Sequence, residues 1–378
     1  MLSTVGFAVA FAVWGLLSGL APTFKQQYGL TQTQVSLMIA IPVLLGSVGR
    51  LPVGLLADRL GPKRVMAALL LLASVPAFVL AFFRSYEQLL IWGFLLGLGG
   101  TVFSVGVAMC SPWFPKEKQG TALGIFGLGT GGQSAAVFFG PLLAKQFGTS
   151  APFLLFGTMS LVLGFAVLAL GQEPPNRKPP ASLGESLRPL REPLCWLFGL
   201  FYFVTFGGFV ALGIYLPSLL KDVFQLDPTD AGLRTAGFVV LATAMRPVGG
   251  ILSDRIGGAR VLLASFGMLS ILALGLISTF MPLFTVAALG IAACLGLGNG
   301  AVFKLVPQYF PDRVGTVTGL VGMMGGLGGF FPPLVLGLLK DHVGSFAPGF
   351  VLLGVVSLLC LGLDWRLLSA PRRQPAAG

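Results

Sequence analysis

Charged side chains are scarce in this chain. Only 10% of its 378 residues are Asp, Glu, Lys or Arg, whereas 55% are hydrophobic. Soluble domains carry about 25% charged residues, so a soluble protein of this composition would have too little polar surface to stay dissolved. The composition therefore predicts an integral membrane protein whose surroundings are the lipid bilayer.

Metal ligands and reactive side chains are also scarce. There is one histidine, and the four cysteines lie in or beside apolar stretches without paired spacing, at Cys110, Cys195, Cys294 and Cys360. Cysteines in such positions are typical of small apolar core residues. Since no nucleophile–base pair, metal-ligand cluster or cofactor motif stands out, we expect a protein that is not an enzyme and holds no metal or cofactor.

Long apolar stretches fill most of the chain. Twelve of them have roughly 18–26 residues, enough for helices across a hydrocarbon core of ~30 Å. The first begins close to Met1 without a basic segment before it, so we expect a membrane helix there and not a cleavable signal peptide. The stretches cover approximately 3–24, 35–57, 65–83, 88–113, 120–144, 152–171, 194–218, 231–252, 261–279, 281–306, 314–339 and 347–366.

A polar, proline-rich segment at 172–193 divides the twelve stretches into six and six. Its composition is typical of a linker and not of a domain. We therefore expect an N-terminal half at 1–171, a C-terminal half at 194–366 and a short tail at 367–378.

The two halves repeat each other. Arg50 is followed eight residues later by Asp58, and Arg246 is followed eight residues later by Asp254, in matched apolar contexts. Two six-helix halves in pseudo-twofold parallel repeat are the architecture of the major facilitator fold, so we predict an all-α membrane protein of this kind. Further landmarks recur in the same order, namely Phe114-Pro115 with Phe310-Pro311, Phe138–Pro141 with Phe330–Pro333, and Gly97–Gly99 with Gly296–Gly298.

Lysine and arginine are unevenly distributed between the two sides of the predicted bundle. The loops after even-numbered helices, together with the C-terminal tail, carry fifteen of these cations, and the opposite loops carry six. Such an excess marks the cytoplasmic side, so we expect both termini in the cytoplasm and the protein in the cell (inner) membrane. The net charge of +11 is then an orientation signal that needs no nucleic-acid partner.

Two arginines, Arg50 and Arg246, lie inside apolar stretches. A guanidinium keeps its proton, and at this depth the charge costs several kcal/mol unless it faces a wet cavity or a counter-charge. All thirteen carboxylates fall in loops or near helix ends. We therefore interpret the pair as a site for a planar oxyanion. The alternative is that backbone carbonyls freed by Pro52 and Pro247 bind the two guanidinium groups.

Two loops carry a recurring motif. Residues 54–64 resemble the signature loop between helices 2 and 3 of the major facilitator superfamily, and residues 249–260 resemble its repeat between helices 8 and 9. We interpret their charged residues as controlling conformation without contacting substrate. These residues are Asp58, Arg59, Arg64, Asp254 and Arg255.

The fifth and eleventh stretches are rich in glycine. Small residues at helical spacing allow helix backbones to approach closely, and such helices can also slide or bend during a conformational cycle. We expect four of these glycines both to allow close helix packing and to take part in the conformational cycle, namely Gly127, Gly129, Gly325 and Gly328.

Three features occur together in this chain, namely the segment Phe114–Gly120 before a glycine-rich helix, a second glycine-rich helix, and an arginine in each of helices 2 and 8. In this combination the chain resembles the nitrate/nitrite porter (NarK-type) family over nearly its whole length. In that family two arginines bind the anion and aromatic rings sandwich its plane. The resemblance implies that Arg50 and Arg246 bind nitrate or nitrite, and that Phe103, Tyr202 and Phe206 supply the rings.

The chain departs from the family pattern in helices 5 and 11, where the expected asparagine is missing. Thr130 and Gln133 are candidate hydrogen-bond donors in its place. Lys304 is a third cation within an apolar stretch. We consider three roles for it, namely to extend its side chain toward the membrane surface, to bind the anion or to carry a coupling proton.

The sequence thus predicts a monomeric secondary transporter of nitrate or nitrite that works by alternating access, as a nitrate/nitrite exchanger or with proton-coupled uptake. One alternative keeps the fold but has another small anion, such as oxalate or formate, as substrate. Another alternative is a channel or a transporter-like sensor. A sensor would be expected to have an added soluble domain, whereas the longest polar segment is 172–193.

Overall fold

The computed structural model describes residues 1–82, 85–175 and 182–369. Within these ranges the chain is almost entirely helical and contains no strand, and twelve helices are long and apolar enough to span a membrane. The prediction of a twelve-helix membrane protein is confirmed. Residues 176–181 of the predicted linker and residues 370–378 of the predicted tail lie outside the described ranges.

The helices of the N-terminal half are interrupted at several points. Helix α2 has a turn residue with helical backbone angles at Gly49, directly before Arg50, and α5 contains a 3₁₀ turn at Leu128–Thr130. The six helices are α1 (Leu2–Tyr28), α2 (Gln32–Val48 and Arg50–Leu60), α3 (Pro62–Phe82), α4 (Tyr86–Leu96 and Leu98–Cys110), α5 (Gln119–Gly127 and Gly131–Phe147) and α6 (Ala151–Leu170).

The helices of the C-terminal half run without such breaks. A short helix, Leu183–Leu187, precedes them in the linker. The six helices are α7 (Pro193–Phe224), α8 (Pro228–Ile256), α9 (Gly258–Gly275), α10 (Met281–Tyr309), α11 (Val314–Val343) and α12 (Ala347–Asp364).

Polar residues between the apolar stretches fix where several helices begin and end. Thr31 and Gln34 form a capping box at the start of α2, in which each side chain binds the backbone N–H of the other residue. Ser85 and Gln88 do the same at the start of α4. These bonds satisfy amide groups that have no partner within a helix.

The two halves meet where glycine-rich helices cross the arginine-bearing helices. Helix α11 packs against α2, and a Cβ atom at Gly319 would lie 2.6 Å from the carbonyl oxygen of Arg50. Helix α5 packs against α8, and a Cβ atom at Gly124 would lie 2.8 Å from the carbonyl oxygen of Arg246. Any larger residue would push these helices apart, so the glycines are what allow the arginine backbones to lie at the interface of the halves.

Candidate functional site

Arg50 lies at the start of the second segment of α2 and is only 1% exposed. Its Nε donates a hydrogen bond to the carbonyl of Gly100 in α4 (3.0 Å), and its Nη1 donates to the carbonyl of Gly322 in α11 (2.8 Å). Because Gly322 belongs to the other half, this guanidinium links the two halves.

Arg246 lies in α8 and is 3% exposed. Its Nη1 donates to the carbonyl of Gly127 in α5 over a long distance of 3.4 Å. Its Nε and Nη2 are buried and have no hydrogen-bond partner among the described residues. These two nitrogens carry the parallel N–H groups of one edge of the guanidinium, the arrangement that binds a planar oxyanion in a bidentate manner.

Neither guanidinium is paired with a carboxylate of the described residues. The carbonyls that accept from them belong to Gly100, Gly322 and Gly127, each on another helix. They are therefore not the carbonyls that Pro52 and Pro247 would free within their own helices, and the proline alternative from the sequence is wrong.

Aromatic rings surround the two arginines. Phe103 of α4 and Tyr202 of α7 are nearly parallel (3°) with centroids 6.2 Å apart, and Tyr202 stacks on Phe206 at 5.0 Å. The Phe206 ring lies 5.7 Å from the guanidinium carbon of Arg50 and 5.5 Å from that of Arg246. The structure thus brings together all five residues that the family resemblance implied. Phe103 and Phe206 lie at distances from the guanidinium groups that are typical of cation–π contact.

Two further residues border this cluster, and the sequence analysis did not assign them to the site. Phe303 of α10 packs edge-on against Phe103 and Tyr202, with both centroid distances at 4.7 Å. Asn299 lies one helical turn before Phe303 and lines a small cavity together with Arg246. The repeat that pairs Phe103 with Phe303 was the available signal for the ring, and an amide within an apolar stretch was the signal for Asn299.

Thr130 and Gln133 lie in different surroundings. The Thr130 hydroxyl is buried and donates to the carbonyl of Gly127 (2.9 Å), the carbonyl that also accepts from Arg246. The half-buried Gln133 packs against Gly15 of α1. Thr130 therefore contacts the arginine region only through a shared carbonyl, and Gln133 contacts helix α1.

The predicted glycines lie at close helix contacts around the site. A Cβ atom at Gly127 would lie 3.5 Å from the Arg246 side chain, and one at Gly325 would overlap the ring of Tyr202. Gly129 packs on the ring of Phe7 in the same way, and Gly328 packs on the backbone of α7. The expectation that α5 and α11 pack closely is confirmed, whereas movement of these glycines stays a prediction.

The structure corrects the placement of Lys304. Its ammonium forms an ion pair with Asp254 (2.7 Å) and donates to the carbonyl of Lys116, and no contact with the arginines is present. Lys304 lies five residues before the end of α10 at Tyr309, so its long side chain reaches the aspartate at the helix end. It therefore belongs to the conformational motif and not to the arginine cluster.

The two motif aspartates bind opposite halves in the same way. Asp58 accepts hydrogen bonds from the backbone N–H groups of Gly315 (2.9 Å) and Thr316 (2.6 Å) and from the Thr316 hydroxyl (2.7 Å) at the start of α11. Helix N-termini carry unpaired N–H groups and a partial positive charge, so a carboxylate stabilises them.

Asp254 makes the corresponding bonds to Gly120 and Thr121 at the start of α5. Each aspartate therefore links its own half to the other. We call these two contacts the aspartate clamps, and we call the end of the bundle that carries them the motif end. Arg64 and Arg255 are exposed there, and Arg59 is half-buried.

The two six-helix halves enclose a buried arginine pair and are joined at one end by the matched aspartate clamps. This arrangement defines a multi-pass membrane transporter of the major facilitator fold. The sequence matches the Major Facilitator Superfamily over residues 2–226 and 198–378. It is similar in fold to the human organic anion transporter MFSD10 (TETRAN; TM-score 0.78, 18% identity, 96% of this chain and 98% of that one). It is similarly close to FucP in the outward conformation (TM-score 0.77, 17% identity, 96% and 97%).

Relatives of known sequence extend the likeness beyond the fold. The chain is 40% identical to the nitrite extrusion protein of Bacillus subtilis (94% of this chain, 91% of the relative) and 39% identical to the probable nitrate transporter NarT of Staphylococcus carnosus (96% and 94%). It is also 39% identical to the probable nitrate/nitrite antiporter NarK1 of Thermus thermophilus (88% and 83%). The chain belongs to the nitrate/nitrite porter family of the major facilitator superfamily. It is a transporter and not an enzyme.

Proposed function

We propose that this protein carries nitrate and nitrite across the cell membrane by alternating access, with the anion bound at Arg50 and Arg246. The observation that carries the proposal is the free Nε/Nη2 edge of the buried Arg246. A buried charge with two unused donors is costly to leave unpaired, and a planar oxyanion of matching width satisfies both donors at once. The printed functions of the relatives, nitrate and nitrite transport, agree with this chemistry.

The rings explain how the site would accept a flat anion. Phe206 lies within cation–π distance of both guanidinium groups, and the parallel rings of Phe103 and Tyr202 supply flat apolar surfaces beside them. Nitrate and nitrite are weakly hydrated, planar and small. In contrast, a dicarboxylate such as oxalate would bring a second charge that has to be matched.

We propose that transport is an exchange. Two unpaired cations repel each other in a medium of low dielectric constant, so the halves can close over the site only when an anion is bound. Lys304 is paired with Asp254, so we propose that Lys304 does not carry a coupling proton. One chain supplies both arginines and all the rings, so we propose that the monomer is the transporting unit. Because the motif end carries the excess of Lys and Arg, we also propose that this end faces the cytoplasm.

Counterflow in proteoliposomes tests this function. Vesicles are loaded with nitrite, nitrate or gluconate, and uptake of ¹⁵N-labelled nitrate is followed with and without a pH gradient. We expect uptake when the vesicles contain nitrite or nitrate, with little effect of the gradient. Equal uptake into gluconate-loaded vesicles would rule out exchange, and strong competition by oxalate or formate would redirect the proposal to carboxylates.

A further inference from the structure

Asn299 has a buried side-chain amide that forms no hydrogen bond with the described residues. The residue is 3% exposed, and neither Nδ2 nor Oδ1 has a hydrogen-bond partner among the described residues. Most buried polar side-chain atoms in proteins have a partner, and an unpaired one is destabilising. A group that is left in this state at the edge of a binding site is a candidate ligand contact.

The surroundings of Asn299 connect it to the anion site. It lines the small cavity that is also lined by Arg246, Tyr202, Phe103 and Phe303. Three of these four residues were already predicted to contact the anion. The cavity is therefore lined by an arginine and an asparagine that both have side-chain donors without a partner among the described residues, and its other lining residues are aromatic, aliphatic or glycine.

No described contact within the protein accounts for an amide at this position of α10. The amide therefore needs another explanation.

The shapes of the two anions suggest that explanation, which rests on the proposed function. Nitrite has two oxygens, and the two free N–H groups of Arg246 can bind both. Nitrate has a third oxygen, which points away from a guanidinium that binds the other two. The Nε and Nη1 groups of Arg50 already donate to backbone carbonyls. We propose that the Asn299 amide donates to the third oxygen of nitrate and thereby sets the preference for nitrate over nitrite.

Calorimetric titration of the purified, detergent-solubilised full chain with sodium nitrate and with sodium nitrite tests this role. Asn299→Leu keeps a similar side-chain volume and removes the donor. We expect the Kd for nitrate to rise about tenfold or more, as for loss of a hydrogen bond to a charged group, and the Kd for nitrite to change by less than about threefold. Asn299→Ala replaces this variant if the leucine side chain prevents folding.

A matched control is Ser265→Ala, because the Ser265 hydroxyl is also buried and unpartnered but lies in α9 and does not line the cavity. It should leave both Kd values unchanged. Equal losses for nitrate and nitrite, or no loss for either, in the Asn299 variants would overturn the inference. If the wild-type protein bound neither anion, the proposed function itself would fail. If it bound both and the variants kept the wild-type ratio, only the role of Asn299 would fail.

Discussion

At the scale of single residues, the two arginines are not equivalent. Arg50 is anchored to carbonyls of both halves, whereas Arg246 lines the cavity and has two guanidinium nitrogens without a partner among the described residues. Two side chains that occupy matched places in the repeat therefore have different surroundings. We infer that Arg246 binds the anion most directly, and that Arg50 couples the anion site to the contact between the halves.

Arg50→Lys tests this coupling. An ammonium is a compact point charge and cannot reproduce the planar fork that reaches Gly100 and Gly322 together. We expect nitrate exchange in proteoliposomes to fall by about tenfold or more, the effect of losing one charged hydrogen bond, while membrane insertion is retained. Arg234→Lys is the matched control, because Arg234 forms an exposed ion pair with Asp230, and it should transport normally. Near-normal exchange by Arg50→Lys would contradict the coupling role.

Lys304→Met tests the corrected role of Lys304. Its ion pair lies with Asp254 at the motif end, so the variant should slow exchange but leave the Kd for nitrate within about threefold, a change smaller than the loss of one charged hydrogen bond. Parallel measurements of exchange rate and calorimetric Kd separate these effects. A large loss of nitrate affinity with a normal rate would instead favour the anion-binding role that the sequence suggested.

The arginine pair could be predicted from the sequence because a charge inside an apolar stretch is visible without a structure. In the sequence, Lys304 is also a charge inside an apolar stretch. Its depth in the membrane, however, depends on where α10 ends and on the reach of its long side chain. The contact of Gln133 with α1 could not be predicted for a related reason, since the sequence does not show which face of α5 turns toward α1. Partners across the interface of the halves, such as Gly322, depend on tertiary packing and cannot be read from local pattern.

At the scale of helices, the aspartate clamps join one half to the other. Each carboxylate accepts three hydrogen bonds at the N-terminus of a glycine-rich helix from the opposite half. Charge-assisted bonds of this kind are about twice as strong as neutral ones. The clamps therefore stabilise the state in which the motif end is closed, and they have to break when that end opens.

Asp58→Asn tests one clamp. An amide can accept only weakly from two N–H groups and a hydroxyl, so the closed state should lose about 1–3 kcal/mol. We expect nitrate exchange to fall severalfold, with the Kd for nitrate close to the wild-type value. Asp230→Asn is the control, because Asp230 forms an exposed ion pair with Arg234 and exposed pairs contribute little. Unchanged exchange by Asp58→Asn would mean that the clamp does not control closure.

The helix contacts were partly foreseeable from composition. Two glycine-rich stretches predicted close packing, and the structure places them against the helices that carry the arginines. The local irregularity in α2 at Gly49 was not predicted, because a single glycine in an apolar run does not by itself indicate one. Gly49 keeps helical backbone angles (φ −64°, ψ −18°), so α2 continues through it to Arg50.

At the scale of the whole molecule, hydrogen bonds join the two halves at the level of the arginines and at the motif end. The described contacts hold the motif end closed. Because the halves are related by an internal repeat, alternating access requires that these matched contacts break together and that the opposite end closes. In the proposed mechanism the anion binds at the level of the arginines, between the halves that move.

The orientation of the molecule gives a further prediction. The excess of Lys and Arg at the motif end predicts that this end, and the C-terminus, face the cytoplasm. A C-terminal green fluorescent protein fusion should fluoresce in bacterial cells, and a C-terminal alkaline phosphatase fusion should be inactive. The reverse pattern would show that the assignment of sides is wrong.

The most direct test of the arginine site is calorimetric titration of nitrate into wild-type protein and into Arg246→Lys. The variant keeps a positive charge but loses the two-donor edge. The account predicts that the Kd for nitrate rises by about 100-fold or more, as for loss of two charged hydrogen bonds, with the variant folded and thermally stable. A Kd close to that of the wild type would contradict the claim that the Arg246 edge binds the anion.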